Sequence, residues 1–114
     1  MTSETTRRLL DAIDACETIR QYTAALDADE FAGNPVVRDA VVFRLVVLGV
    51  ALNRLAQFDP VVVDTVPEPR KIVGLRNRMV HAYDAIDDEN VWDIVQTKLV
   101  VLREQLYRLV DGST

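Results

Sequence analysis

The densest group of polar side chains in this chain lies between residues 76 and 83. The stretch reads Arg-Asn-Arg-Met-Val-His-Ala-Tyr and holds the only histidine among the 114 residues. On an α-helix each residue turns by about 100°, so Arg76 and Tyr83 would lie within about 20° of each other. Asn77 and His81 would lie within about 40° of each other on an adjoining strip. Four polar groups would therefore share one sector of a helix that must also pack.

These residue types suit metal-free cleavage of RNA. That reaction takes a proton from a ribose 2′-hydroxyl and returns one to the leaving 5′-oxygen, and histidine suits both tasks because its unperturbed pKa is about 6.5. Negative charge builds up on the phosphate oxygens between the two steps, and an arginine fork such as that of Arg76 binds them with two hydrogen bonds. His81 cannot be base and acid at once, so a two-fold dimer would supply a second set of groups.

The same residues also have ordinary structural interpretations, which their spacing leaves open. A lone histidine near a helix end often serves as a favourable C-terminal charge. Tyr83 can be a packing residue with its hydroxyl at the rim, and Asn77 can hydrogen-bond to neighbouring backbone. With one histidine and one cysteine, no pair has the spacing of metal ligands, and the four glycines form no phosphate loop. We therefore expect no metal and no cofactor.

Charge is distributed unevenly along the chain. The net charge of −5 argues against a non-specific nucleic-acid binder, which is usually basic. Residues 70–83 nevertheless contain no acid, and their basic side chains are Arg70, Lys71, Arg76 and Arg78. If the protein contacts RNA, we expect the contact at this local basic patch on an acidic body. The alternative is a solvated helix surface.

Hydrophobic periodicity predicts the elements that position these residues. Four helices are expected: Ser3 to Asp27, Pro35 to Gln57, Arg70 to Tyr83 and Glu89 to Val110. Their lengths and connections favour an all-α, up-and-down four-helix bundle, and the length of the chain suits one domain over 1–114.

Local signals set the ends of these helices. Thr2 or Ser3 can cap the first, Asn34 before Pro35 is a typical helix start, and Asp87 or Asp88 can cap the last. Gly112 is expected to end the last helix. The loop from Asp59 to Pro69 contains three prolines, and its three valines at 61–63 suggest a short extended piece.

The second predicted helix is apolar on nearly every face between Val41 and Leu52. A helix without a polar face must be covered on more than one side, so we expect a second copy of the chain to cover it in a homodimer. Cys16 lies on the apolar stripe of the first helix and is expected in the core.

The sequence lacks the features of a membrane-spanning or secreted protein, which bears on where in the cell the protein works. The longest unbroken apolar run is residues 45–52, whereas a membrane span needs about 20 residues. The N-terminus shows no apolar segment of a secretory signal, and the single cysteine fits a reducing environment. We expect a cytoplasmic protein without a membrane partner.

The motif residues in their wider context resemble a known family. Arg76-Asn77-x3-His81-x-Tyr83 is followed by Asp84-x-Ile86-Asp87 and then Val91-Trp92. This string is similar to the HepT-like toxins of the HEPN superfamily, whose signature is Arg-x4-His-x-Tyr. The resemblance runs over the whole chain and includes Arg38-Asp39-Ala40-Val41 and the long apolar second helix.

The resemblance implies a fold, an activity and a partner. HepT-like proteins are dimeric, metal-independent ribonucleases that arrest bacterial growth. A minimal nucleotidyltransferase of the MntA type acts as the antitoxin by transferring AMP to the motif tyrosine. Carried over, Arg76 and His81 would be catalytic, Asn77 would support them, and Tyr83 would accept AMP. Adenylylation would place bulk and negative charge beside the catalytic pair, which would repel phosphate.

This chain departs from the family pattern at two positions. Val50 stands where members often carry the glutamate of a Gly-Glu-Ala sequence, and Pro69 stands where a tryptophan commonly precedes the motif helix. Two alternatives to the toxin therefore stay open. One is a non-catalytic helical dimer that serves as a binding module for a nucleotidyltransferase. The other is an RNA-binding regulator that uses the basic patch at 70–78.

Overall fold

The computed structural model describes residues 2–64 and 87–112, and it builds both ranges from α-helices with no strand in either. We number the helices in chain order. They are α1 (Ser3–Thr23), α2 (Ala28–Ala32), α3 (Pro35–Phe58), α4 (Pro60–Val63), α5 (Asp88–Gln96) and α6 (Lys98–Val110). The predicted all-α bundle is confirmed. The third predicted helix, from Arg70 to Tyr83, lies outside the described residues.

Helix α1 begins where the sequence predicts but ends early. The Thr2 hydroxyl accepts a hydrogen bond from the Thr5 amide at 3.1 Å, which caps the first turn. The predicted end at Asp27 is wrong, because the helix stops at Thr23. Asp27 instead begins α2: its carboxylate accepts from the Glu30 amide, while the Glu30 carboxylate accepts from the Asp27 amide. This capping box starts a new helix and so ends the old one.

Helix α3 is the longest helix in the described ranges. The Asn34 side chain accepts a hydrogen bond from the Val37 amide at 3.1 Å, and Pro35 occupies the first turn, as predicted. Its 24 residues make a rod of about 36 Å. One face packs on α1, and α2 and α4 contact it as well.

The three valines at 61–63 are helical, and the predicted extended piece is wrong. The Asp59 carboxylate accepts a hydrogen bond from the Val62 amide at 3.2 Å, and Pro60 supplies a φ angle that already suits a helix. This cap outweighs the preference of β-branched residues for extended backbone. Val63 is buried and adds its side chain to the core.

The predicted helix from Glu89 to Val110 is two helices. Asp87 caps the first, as predicted, because its carboxylate accepts from the Glu89 amide at 3.0 Å. Thr97 interrupts the helix with φ −120° and ψ −72°. Its hydroxyl and its amide both donate to the Asp93 carbonyl, at 2.7 Å and 3.0 Å. Such back-bonding by threonine competes with regular helix geometry. Gly112, with φ +72°, lies just past the end of α6, as predicted.

One hydrophobic core joins these helices. Its largest fully buried side chains come from α1, α2, α3, α5 and α6, and they include Leu9, Ile19, Phe31, Leu45, Leu48, Leu52, Val91, Leu99, Leu102 and Leu106. Cys16 is fully buried, as predicted, and burial raises the pKa of its thiol to about 12. None of the described helices is long and apolar enough to cross a membrane.

Candidate functional site

The residues that the sequence assigns to chemistry fall in the segment 65–86. They are the pair Arg76 and His81, the supporting Asn77, the AMP acceptor Tyr83, and the basic residues Arg70, Lys71 and Arg78. All seven lie outside the described residues. The structure describes the helices on either side of this segment, α4 before it and α5 after it. We call these two helices and the contacts that hold them the framework of the segment.

The entrance to the segment is fixed by Asp59. One carboxylate oxygen of Asp59 caps α4 through the Val62 amide, and the other accepts a hydrogen bond from the Thr5 hydroxyl at 3.4 Å. The Asp59 amide donates to the Leu55 carbonyl at 2.7 Å. One residue therefore closes α3, starts α4 and ties both to α1. Helix α4 leads directly to Asp64, the last described residue before the segment.

The exit from the segment is fixed at the first turn of α5. The Arg38 guanidinium on α3 donates to an Asp88 carboxylate oxygen at 3.3 Å. Trp92, one turn further along α5, packs against the fully buried Phe31 of α2, with ring centroids 5.2 Å apart and the ring planes tilted by 37°. An ion pair and an aromatic contact thus hold the start of α5 against α3 and α2. The chain emerges from the predicted motif at a position that the rest of the fold defines.

No role was predicted for Arg38 beyond its place in Arg38-Asp39-Ala40-Val41, which resembles the family. Its position in the sequence nevertheless indicates that it needs an acidic partner. Arg38 is a cation in the first turn of a helix, where the backbone dipole disfavours positive charge. Such a residue needs an acid nearby, and the structure supplies Asp88 from 50 positions further along the chain. Asp39, beside it in sequence, also pairs with Arg38 at 3.2 Å.

The acids beside the motif have structural roles where the structure describes them. Asp87 caps α5, and Asp88 pairs with Arg38. The first role agrees with the prediction that Asp87 or Asp88 caps the last helix. In the ranges 2–64 and 87–112, no three His, Cys, Asp or Glu side chains come close enough to hold a metal ion.

The shifted pKa values among the described residues lie away from this framework. Glu17 on α1 accepts a hydrogen bond from Arg103 on α6, and this bond holds the pKa of the Glu17 carboxyl below its usual value. The same bond raises the pKa of Arg103. The Arg103 guanidinium also lies over the Tyr107 ring, 5.1 Å from its centroid. The arrangement is a link between two helices, and nothing about it indicates a catalytic group.

The described residues form an all-α bundle, and the polar motif falls in the sequence between two capped helices, α4 and α5. The chain is therefore a small helical-bundle protein. Comparison with family models places the chain more narrowly, because residues 12–109 match the model described as Ribonuclease HepT-like. The match covers most of the chain, and the chain therefore belongs to the HepT-like ribonuclease family.

Individual relatives agree with this assignment. "Putative RNase MJ1380" of Methanocaldococcus jannaschii is 28% identical over 98 residues, which cover 86% of this chain and 89% of that protein. "Putative RNase MJ0127" of the same organism is 30% identical over 93 residues, 80% of this chain and 74% of that protein. "Putative RNase TTE0752" of Caldanaerobacter subterraneus subsp. tengcongensis is 23% identical over 98 residues, with 86% and 87% covered. No solved structure matches the chain.

Proposed function

We propose that this protein is a metal-independent endoribonuclease that acts as the toxin of a toxin–antitoxin system. Membership of the HepT-like ribonuclease family is the observation that carries the proposal. It is supported by the presence of the complete Arg-x4-His-x-Tyr signature at Arg76, His81 and Tyr83. We further propose that residues 1–114 act as one domain in the cytoplasm.

In the proposed reaction, the His81 imidazole moves the proton and Arg76 stabilises the phosphate. When His81 takes the proton from the 2′-hydroxyl, the 2′-oxygen attacks the adjacent phosphorus and the bond to the 5′-oxygen breaks. Arg76 binds the phosphate oxygens that gain negative charge, and Asn77 supports the pair. A homodimer supplies the second imidazole, which protonates the leaving oxygen. Arg70, Lys71 and Arg78 bind the flanking phosphates of the RNA.

The proposed control acts on Tyr83. A nucleotidyltransferase partner of the MntA type transfers AMP from a nucleoside triphosphate to the tyrosine hydroxyl, and pyrophosphate leaves. The added phosphate carries negative charge to the neighbourhood of Arg76 and His81, where it competes with the phosphate of the RNA. The modified toxin is therefore expected to bind RNA less tightly and to leave it uncut.

A variant series tests the catalytic assignment. The purified protein, its His81→Ala variant and its Arg76→Ala variant are incubated with RNA in the presence of EDTA. We expect cleavage by the wild type and a loss of about 10²–10⁴-fold in rate for His81→Ala. Arg7→Ala is the matched control, because Arg7 is an exposed arginine on α1. Equal rates for the wild type and His81→Ala would refute the assignment.

The same variants separate the alternatives. A non-catalytic binding module would leave RNA intact and would hold a nucleotidyltransferase even after both Arg76 and His81 are replaced. A regulator would bind RNA without cutting it, with an affinity that falls steeply with salt.

Co-expression with the nucleotidyltransferase followed by intact-mass measurement checks the modification. Added AMP is expected on the wild type and absent from Tyr83→Phe.

A further inference from the structure

Helix α5 is held near its start by two contacts that lie on one face of the helix. Asp88 accepts a hydrogen bond from the Arg38 guanidinium of α3 at 3.3 Å, and Trp92 packs against Phe31 of α2. Asp88 and Trp92 are four positions apart, so they lie within about 40° of each other around the helix. A rotation of α5 about its own axis would break both contacts. Together they therefore fix the orientation of α5 as well as its place.

The proposed catalytic histidine is closer in sequence to this end of segment 65–86 than to the other end. His81 precedes Asp88 by seven positions and follows Asp64 by 17 positions. Each residue in between adds two backbone dihedral angles that can change. A contact close in sequence therefore restricts a side chain more than a distant contact does. A shift of α5 reaches His81 through a shorter stretch of chain than a shift of α4.

The ion pair between Arg38 and Asp88 is better suited to setting geometry than to adding stability. Its side chains are 22% and 33% exposed, and ion pairs with access to water contribute little to stability. The guanidinium is nevertheless held from two directions, because Nη1 donates to Asp88 and Nη2 donates to Asp39 at 3.2 Å. Such bonds are directional. Asp39 therefore orients Arg38, and Arg38 orients the first turn of α5.

We propose that Arg38 is a positioning residue for the ribonuclease reaction. Through Asp88 it fixes the first turn of α5, and that turn sets the position from which His81 acts on the RNA. This role rests on the proposed function and adds to it a residue outside the Arg-x4-His-x-Tyr signature. Arg38 acts through Asp88 and does not itself bind the phosphate.

Two other roles for Arg38 predict different results. A cation that binds the RNA backbone would raise KM when it is removed and would leave kcat nearly unchanged. A residue that only stabilises the fold would lower the unfolding free energy and leave both constants of the folded protein unchanged. A positioning residue lowers kcat and leaves KM for the RNA close to its wild-type value, because the basic patch that binds the RNA is intact.

Steady-state kinetics of Arg38→Ala, Asp88→Ala and the double variant test the positioning role. A displacement of about 1 Å at a catalytic group costs up to about 100-fold in rate, so each single variant should lose about 10–100-fold in kcat. The double variant should lose no more than either single variant, because all three lack the same contact. Unchanged kcat in Arg38→Ala, a change confined to KM, or losses that multiply in the double variant would overturn the proposal.

Arg103→Ala is the matched control. Arg103 on α6 pairs with Glu17 on α1, and their side chains are 27% and 29% exposed, close to the values for Arg38 and Asp88. This ion pair also joins two helices, but neither helix flanks segment 65–86. Arg103→Ala should therefore keep nearly wild-type kcat once circular dichroism shows that it is folded at the assay temperature. An equal loss of kcat in Arg103→Ala would show general destabilisation and would overturn the proposal.

The single histidine provides a readout that does not require activity. With one histidine in the sequence, the NMR spectrum contains one imidazole signal for each chain, and it belongs to His81. Loss of the contact should move this signal in the same direction in Arg38→Ala and Asp88→Ala and leave it in place in Arg103→Ala. A direct effect of charge would move it in opposite directions, because the two variants remove opposite charges. Opposite movement, or no movement in Arg38→Ala, would contradict the positioning role.

Two outcomes separate this role from the proposed function. If the wild type leaves RNA uncut while the His81 signal moves alike in Arg38→Ala and Asp88→Ala, the ribonuclease fails and the positioning of His81 stands. If the wild type cuts RNA and Arg38→Ala cuts it at the same rate, the ribonuclease stands and the role of Arg38 fails.

Discussion

Asp59 is the residue whose replacement most directly tests the framework at the entrance to segment 65–86. Its carboxylate accepts hydrogen bonds from the Val62 amide at 3.2 Å and from the Thr5 hydroxyl at 3.4 Å. Asp59→Ala removes both acceptors and leaves the backbone bond from the Asp59 amide to the Leu55 carbonyl in place. The change should therefore loosen α4 without breaking α3.

The expected loss follows from these two bonds. Removal of a helix cap costs about 1 kcal/mol, within a range of about 0.5–2 kcal/mol. The bond from Thr5 adds less than the usual value of about 1 kcal/mol, because it is long and the Thr5 hydroxyl keeps a second contact with the Thr2 hydroxyl at 3.0 Å. We expect the free energy of unfolding to fall by about 1–2 kcal/mol in Asp59→Ala.

Urea unfolding followed by circular dichroism measures this loss. At a slope of about 2 kcal/mol per molar urea, the midpoint should fall by about 0.5–1 M. All variants are compared at one protein concentration, because any association between copies makes apparent stability depend on concentration. Asp59→Asn is the matched control, since its amide oxygen can still accept from the Val62 amide. An unchanged midpoint in Asp59→Ala, or an equal loss in Asp59→Asn, would refute the capping role.

Three further predictions concern the core and the link between α1 and α6. Phe31→Ala should cost about 3–5 kcal/mol in unfolding free energy. The fluorescence of Trp92, the one tryptophan in the sequence, should shift to the red, because its ring packs against Phe31. The pKa of Glu17 is lowered by its bond to Arg103, so this link contributes stability above the ordinary pKa of 4.5 and loses it as pH falls through the lower folded value. Glu17→Gln should therefore flatten the loss of thermal stability on acidification, and an unchanged pH profile would contradict the link. Cys16 should resist iodoacetamide at pH 8 until the protein is unfolded, because its thiol is buried and its pKa is raised to about 12.

Helix starts were predictable because their signals are local. Thr2, Asn34 and Asp87 each accept a hydrogen bond from a backbone amide two or three positions ahead, so a short stretch of sequence contains all the interacting groups. The same signal was missed at Asp59-Pro60, where an acid and a proline start α4 just as Asn34-Pro35 starts α3. The β-branched valines that follow led to the wrong prediction of an extended piece.

Helix ends and interruptions were less predictable. The apolar stripe of the last segment continues through Thr97, so periodicity gives no reason to divide it. The division depends on where the Thr97 hydroxyl points, and it donates to the Asp93 carbonyl. Likewise, the apolar spacing of α1 continues to Leu26, while the capping box at Asp27 ends the helix sooner. In both places a specific hydrogen bond outweighs a continuous hydrophobic pattern.

The sequence by itself determined the all-α class, the starts of the long helices and the signature residues Arg76, His81 and Tyr83, because each depends on residues close together in the chain. Only the tertiary structure decided that Arg38 pairs with Asp88 and which face of α3 is turned outward. A helix that is apolar all round has no amphipathic direction, so its own sequence cannot say which side is buried. Burial there depends on where α1 and the other helices pack, and residues far apart in the chain decide that together.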